Sequence, residues 1–230
     1  MTPDTPSAHA PRQKTFLLAK PEERALHWIA GRLPQRVLPD HLTALGVLAA
    51  LGIAVAYLLS NDHPALLWVA SALLVVHWLG DSLDGTLARF RRIERPTYGY
   101  YLDHLVDAFA TAAICIGLGL SPYMLLATGL AIAVAYLLLS INTYLETSAF
   151  GVFDLGYGRV GPTEIRVVLI ALNTALAVGA GLGTRIAGVD MTVLDAVGLG
   201  IAGVMVAALL GRAAKNLRVL AAREPAATPR

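Results

Sequence analysis

The chain is short of cysteine and of charge. Its one cysteine, Cys115, lies in an apolar run. That excludes an intramolecular disulfide framework and a cysteine metal site, and leaves Cys115 as a small buried or lipid-facing hydrophobe. Only 15% of the 230 residues are charged, against 56% hydrophobic, and the mean hydropathy is +0.62. An ordinary soluble domain of this length is excluded by those values. The net charge of +2 says little by itself, and no nucleic-acid partner is expected. No repeat of fixed period is present. Residues 1–13 are rich in Pro, Thr, Ser and Ala and lack an apolar core, so they are expected to form a disordered tail, not a cleaved signal peptide.

Long apolar runs are what the chain has in quantity. They fall at about residues 41–60, 65–90, 99–120, 122–147, 162–183 and 193–216. On a ~20-residue criterion these make an all-α polytopic integral membrane protein with about six transmembrane helices. The membrane domain is expected over 39–217, with a cytoplasmic tail over 218–230. Ahead of it, residues 14–38 alternate Leu26, Trp28, Ile29 and Leu33 with Lys20, Glu22, Glu23, Arg24 and Arg32. That pattern predicts an amphipathic helix, either in the membrane interface or packed on the membrane domain. Asp40 can cap the first span. Gly179, Gly181, Gly183, Gly198, Gly200 and Gly203 could allow helices to approach closely. Basic residues gather before the first span, in the 89–95 loop, in 159–166 and at Arg212, Lys215, Arg218 and Arg223, whereas the opposite turns show only Arg185. By the positive-inside rule both termini face the cytoplasm, as expected for a bacterial inner-membrane protein.

Against that background four acids stand out: Asp81, Asp84, Asp103 and Asp107. An ionisable group in a span costs free energy unless a partner, an ion or a water-filled cavity compensates it. Asp81 and Asp84 are three apart, Asp103 and Asp107 four apart, so each pair projects from one helix face. Two such faces brought together make an all-oxygen cluster, which divalent cations would hold and keep ionised. Oxygen ligation favours Mg²⁺ or Mn²⁺ over zinc, and Mg²⁺ commonly completes its shell with phosphate oxygens. Helix-end aspartates that cap or pair with loop arginines are the plainer alternative, but caps do not require this spacing twice over.

The pattern Asp81-x-x-Asp84-Gly85-x-x-Ala88-Arg89, nine residues, then Gly99-x-x-x-Asp103-x-x-x-Asp107 resembles the signature of the CDP-alcohol phosphotransferase family. The resemblance implies transfer of a substituted phosphate from a CDP-linked donor to an acceptor alcohol with release of CMP, one of the two partners being a lipid. It further implies a homodimer, two divalent ions on Asp81, Asp84, Asp103 and Asp107, and Asp107 also as general base. Gly85, Ala88 and Gly99 are small where bulk would block a nucleotide; Arg89 could fork onto its phosphates, with Asp81 alongside. Asp40 departs from the Pro-Asn usual at that point.

Two features bear on the substrate. Asp103-His104 and Gly161-Pro162-Thr163-Glu164 are similar to the choline/ethanolamine phosphotransferase branch, which makes His104 and Glu164 candidate acceptor or auxiliary residues. Each also has a plain structural reading, as a packing residue and a helix cap. Glu146, Asp154 and Arg159 precede the second motif and are expected in a loop at the acceptor entrance. Phosphatidyl transfer from CDP-diacylglycerol to a small polar alcohol is the alternative direction. The competing class is a small cation transporter whose acids bind the permeating ion. Acids near one face, with no paired discontinuous helices, argue against it.

Overall fold

The structure, a computed structural model, describes residues 18–150, 161–179, 183–186 and 189–224. The expected tail over 1–13, as well as Asp154, Arg159 and Gly181, lie outside the described residues. Seven helices are described: α1 (Ala19–Ala30), α2 (Pro39–Leu59), α3 (Leu66–Arg91), α4 (Pro96–Gly119), α5 (Leu126–Phe150), α6 (Pro162–Ala177) and α7 (Val193–Arg223). Between α6 and α7, β1 (Gly183–Ile186) and β2 (Val189–Thr192) form an antiparallel hairpin, with Gly183 opposite Thr192 and Ile186 opposite Val189.

The all-α membrane reading holds. Helices α2 to α5 and α7 are long and apolar enough to cross a bilayer. The remaining run, expected as a span over 162–183, forms a helix of 16 residues that follows α3 from Asp81 to Ser71. Its stop is local: Gly179 takes φ +91°, a left-handed conformation that costs glycine nothing. The chain beyond it pairs as a hairpin. Helix α7, by contrast, continues to Arg223, well into the stretch expected as tail.

Among the described residues α1 ends at Ala30, before the 38 that the pattern suggested, because Pro34 cannot donate to a continuing helix and the linker carbonyls are taken by a side chain. Arg91 donates to the carbonyls of Leu33 (3.0 Å), Pro34 (2.9 Å) and Val37 (2.5 Å). Leu26 and Ala30 are buried with Leu42, Leu83 and Leu87, so α1 seals the side of α2 and α3. Trp28 is exposed, with Arg32 stacked over its ring at 3.8 Å.

Helix α2 lies against α3 and α4, α5 against α4 and α7, and α6 against α3. Ile53, Tyr57, Leu67, Leu74, Leu118, Met124 and Leu176 form the main core. In lipid such contacts act through close packing, not water exclusion. Buried polar groups are matched across helices. Tyr57 Oη donates to Asn173 Oδ1 (3.0 Å), whose Nδ2 donates to Ser71 (3.2 Å), joining α2, α6 and α3. Glu146 accepts from Arg212, Asn216 (2.5 Å) and Asn142 (2.7 Å). It therefore sits in the last turns of α5, tied to α7, and not in an entrance loop. Asp195 caps α7 and accepts from Leu125 N at 2.8 Å.

The glycines that bring helices together are largely not those expected. A Cβ on Gly80 would lie 2.6 Å from Gly46 N and 2.7 Å from Leu42 O, and one on Gly117 would strike Ala54. Gly198 does pack, against Thr128, whereas Gly200 and Gly203 meet nothing within 4 Å.

Candidate active site

The α2–α3 contact at Gly46 and Gly80 sets the site, because Asp81 follows Gly80 directly. Helix α3 ends at Arg91, and Arg92 turns the chain through a left-handed conformation (φ 56°, ψ 40°). Pro96 then opens α4, its fixed φ and missing N–H suiting the first helical turn. The last turns of α3 and the first turns of α4, helices that both pack on α2, thus turn their acids toward one another. Carboxylate oxygens of Asp81, Asp103 and Asp107 all lie within 4.8 Å of one another.

Asp84 stands beside this group. Its Oδ2 accepts from Thr43 Oγ1 at 2.6 Å and its Oδ1 from Gly85 N at 2.5 Å. Asp81, Asp84 and Asp103 line one cleft with Thr43, Gly46, His77 and Val106. One cation reaches in from α6: Arg166 Nη2 donates to Asp81 Oδ2 at 2.5 Å, with both side chains mostly buried. A single guanidinium cannot balance this many carboxylates at such range, so the donor set, all oxygen and close-spaced, fits a hard divalent cation.

The small residues of the motif lie on the same helix ends, outside the lining of that cleft. A Cβ on Gly85 would come 3.3 Å from Arg89 Nη1, and Gly99 has nothing within 4 Å. Ala88 is half-buried and Arg89 exposed, its Nη2 3.3 Å from Thr86 Oγ1. At the start of α4, Arg95 Nη2 contacts both oxygens of Asp40 at 2.6 Å and its guanidinium stacks over Tyr98 at 3.8 Å. That hydrogen bond holds the Arg95 pKa above its ordinary value.

Neither auxiliary candidate lines that cleft, although His104 Nδ1 lies 3.6 Å from Asp103 Oδ2. His104 points toward α5: its Nδ1 lies 2.7 Å from Tyr100 O, and its ring packs on Tyr100 and edge-on to Tyr144. Glu164 accepts from Gly161 N and from Leu18 N, each at 2.9 Å, so it caps α6 and ties down the start of α1.

The protein matches the CDP-alcohol phosphatidyltransferase family over residues 36–208. It belongs to that family. As a CDP-alcohol phosphatidyltransferase family member the chain is a transferase of membrane phospholipid synthesis, acting between a CDP-alcohol donor and an alcohol acceptor, and its three-aspartate group could bind a metal ion. No match to a curated protein was found.

Several residues of this transferase's site escape a reading by motif. Thr43 carries a signal only in hindsight, one turn after Pro39 at the entry of α2. Arg166 lies two residues past Glu164 yet pairs across to Asp81 of α3. Glu22 of α1 accepts from Trp78 Nε1 (3.0 Å), Ser82 Oγ (3.2 Å) and Thr163 Oγ1 (3.0 Å), joining α1, α3 and α6 next to Asp81. Nothing in the local sequence distinguishes it from a solvated acid.

Proposed function

We propose that the protein catalyses metal-dependent transfer of a substituted phosphate from a CDP-linked donor to an acceptor alcohol, releasing CMP. The convergence of Asp81, Asp103 and Asp107 within 4.8 Å carries the proposal. When bound, two divalent ions (Mg²⁺ or Mn²⁺) on Asp81, Asp84, Asp103 and Asp107 would neutralise charge on the diphosphate and on the leaving CMP.

The chain's own groups do the rest. Asp107 accepts the proton of the acceptor hydroxyl as its oxygen bonds to the β-phosphorus and the bond from that phosphorus to CMP breaks. Thr43 keeps Asp84 turned to the cleft, and Arg166 does the same for Asp81. Gly85, Ala88 and Gly99 leave room for the nucleotide beside Asp81, and Arg89 bonds its phosphates. The arginines at the ends of α3 and α4 support a cytoplasmic site, in a bacterial inner membrane, and the functional unit is a homodimer.

The direction favoured is that of a choline or ethanolamine phosphotransferase, from the Asp103-His104 and Gly161-Pro162-Thr163-Glu164 features. Purified protein in lipid is mixed with CDP-ethanolamine, CDP-choline or CDP-diacylglycerol and a panel of alcohols, with Mg²⁺, Mn²⁺ or EDTA. CMP release with CDP-ethanolamine or CDP-choline and diacylglycerol, abolished by EDTA, is expected. Release with CDP-diacylglycerol alone reverses the direction. No release with any pair, alongside Mg²⁺ or Mn²⁺ flux, overturns the proposal in favour of transport.

A further inference from the structure

His77 lies one helical turn, ~6 Å along α3, from Asp81 and lines the same cleft. It is 4% exposed. Its Nδ1 is the one buried side-chain nitrogen or oxygen without a hydrogen-bond partner among the described residues. Burying a polar group unpaired is costly, and native proteins leave few such groups. Two other helical histidines, both in more exposed settings, bond locally: His27 Nδ1 lies 2.9 Å from the carbonyl of Glu23, and His104 Nδ1 2.7 Å from that of Tyr100, each four residues back. His77 does not take that bond, although the same carbonyl geometry is offered by any helix. It also stands apart from the group Asp81, Asp103 and Asp107, so it is not placed as a ligand of the same ion.

We propose that the cleft extends one turn below the acids as a hydroxyl-binding subsite, in which His77 Nδ1 is bonded by a hydroxyl oxygen. The oxygen belongs either to the acceptor alcohol or to an ordered water. The acceptor alternative rests on the transfer reading above; the water alternative does not. A ring nitrogen at this depth suits a neutral hydroxyl, which can donate or accept, and a pocket this narrow suits one such group.

The test uses the full chain in lipid nanodiscs with ¹⁵N-labelled histidine, together with His77→Gln and His77→Leu. The His77 resonance is the one missing from His77→Gln. Dioctanoylglycerol and glycerol 3-phosphate serve as probes, and Mn²⁺ binding followed by electron paramagnetic resonance checks that each variant is folded. If the acceptor supplies the hydroxyl, the Nδ1 resonance moves on adding one probe. That acceptor's KM then rises roughly five- to tenfold in His77→Leu, with the donor KM unchanged. If water supplies it, the resonance sits at a hydrogen-bonded position before any addition and stays there; His77→Leu then lowers kcat at unchanged acceptor KM. A resonance at the position of an unbonded ring nitrogen under every condition overturns the subsite. So does a His77→Leu enzyme with wild-type KM and kcat. Wild-type protein that releases no CMP would count against the transfer reading alone, because the ¹⁵N measurement needs no turnover.

Discussion

Replacing Gly80 by alanine tests how the site is assembled. The added Cβ would lie 2.6 Å from Gly46 N, 2.7 Å from Leu42 O and 2.8 Å from Gly46 Cα. All three are backbone atoms of α2, so no side chain can rotate away. Restoring contact near the ~3.5 Å optimum requires α2 and α3 to part by roughly 0.5–1 Å, which forfeits a quarter to a half of each dispersion well along the seam. Overpacking of this kind costs about 1–3 kcal/mol, against ~1 kcal/mol returned by alanine's better helix propensity. The same separation stretches the 2.6 Å bond from Thr43 to Asp84 and displaces Asp81 from Asp103 and Asp107. Gly46→Ala is the control, because its Cβ would meet Asp81 N at 3.5 Å, an ordinary contact. Thermal unfolding in detergent and Mn²⁺ binding by electron paramagnetic resonance are expected to show Gly80→Ala less stable and weaker for Mn²⁺, with Gly46→Ala at or above wild type. Equal melting and equal Mn²⁺ affinity in Gly80→Ala would refute the close α2–α3 contact and the reasoning built on it.

Other substitutions separate the roles of individual groups. Asp107→Asn should leave CDP binding measurable while CMP release falls by about 10²–10⁴-fold; wild-type turnover would remove Asp107 from the base role. Asp84→Asn should weaken metal and nucleotide binding together, read by titration calorimetry with Mn²⁺ and with CDP; unchanged affinity for both ends its assignment as a ligand. Gly99→Ala meets no atom of the chain, so it should melt no lower than wild type yet raise the KM for the CDP donor; an unchanged KM would mean that no nucleotide passes there. Arg212→Ala leaves the Glu146 carboxylate with Asn142 and Asn216 alone and should cost about 1–3 kcal/mol of stability, a loss that the double change with Glu146→Gln should partly recover in chemical denaturation.

Two kinds of information separate in this protein. Composition and the length of the apolar runs were enough for an all-α membrane protein, because spanning lipid requires long apolar helices that satisfy their own backbone. The spacing of Asp81, Asp84, Asp103 and Asp107 was enough to expect acids from two helix ends to meet, since helical periodicity sets which residues share a face. Over 162–183 hydropathy does not register a left-handed glycine: Gly179 ends α6 and the chain continues into a hairpin. Glu146 misled because its counter-ion, Arg212, lies 66 residues away. Glycine spacing misled as well: Gly200 and Gly203 look like packing positions, but the close approach falls at Gly46 and Gly80.

By itself, then, the sequence determined the solvent this chain lives in, the helices it forms and the acids it brings to one end. Only the tertiary structure decided that Thr43 holds Asp84, that Arg166 rather than a loop arginine holds Asp81, that Glu22 ties α1 to α3 and α6, and that His77 lies in the cleft with an unpartnered nitrogen. The division has a physical cause. Periodicity and composition act along one helix, whereas hydrogen bonds and ion pairs across helices depend on how rigid elements dock, and that docking is set by backbone contacts such as Gly46 on Gly80.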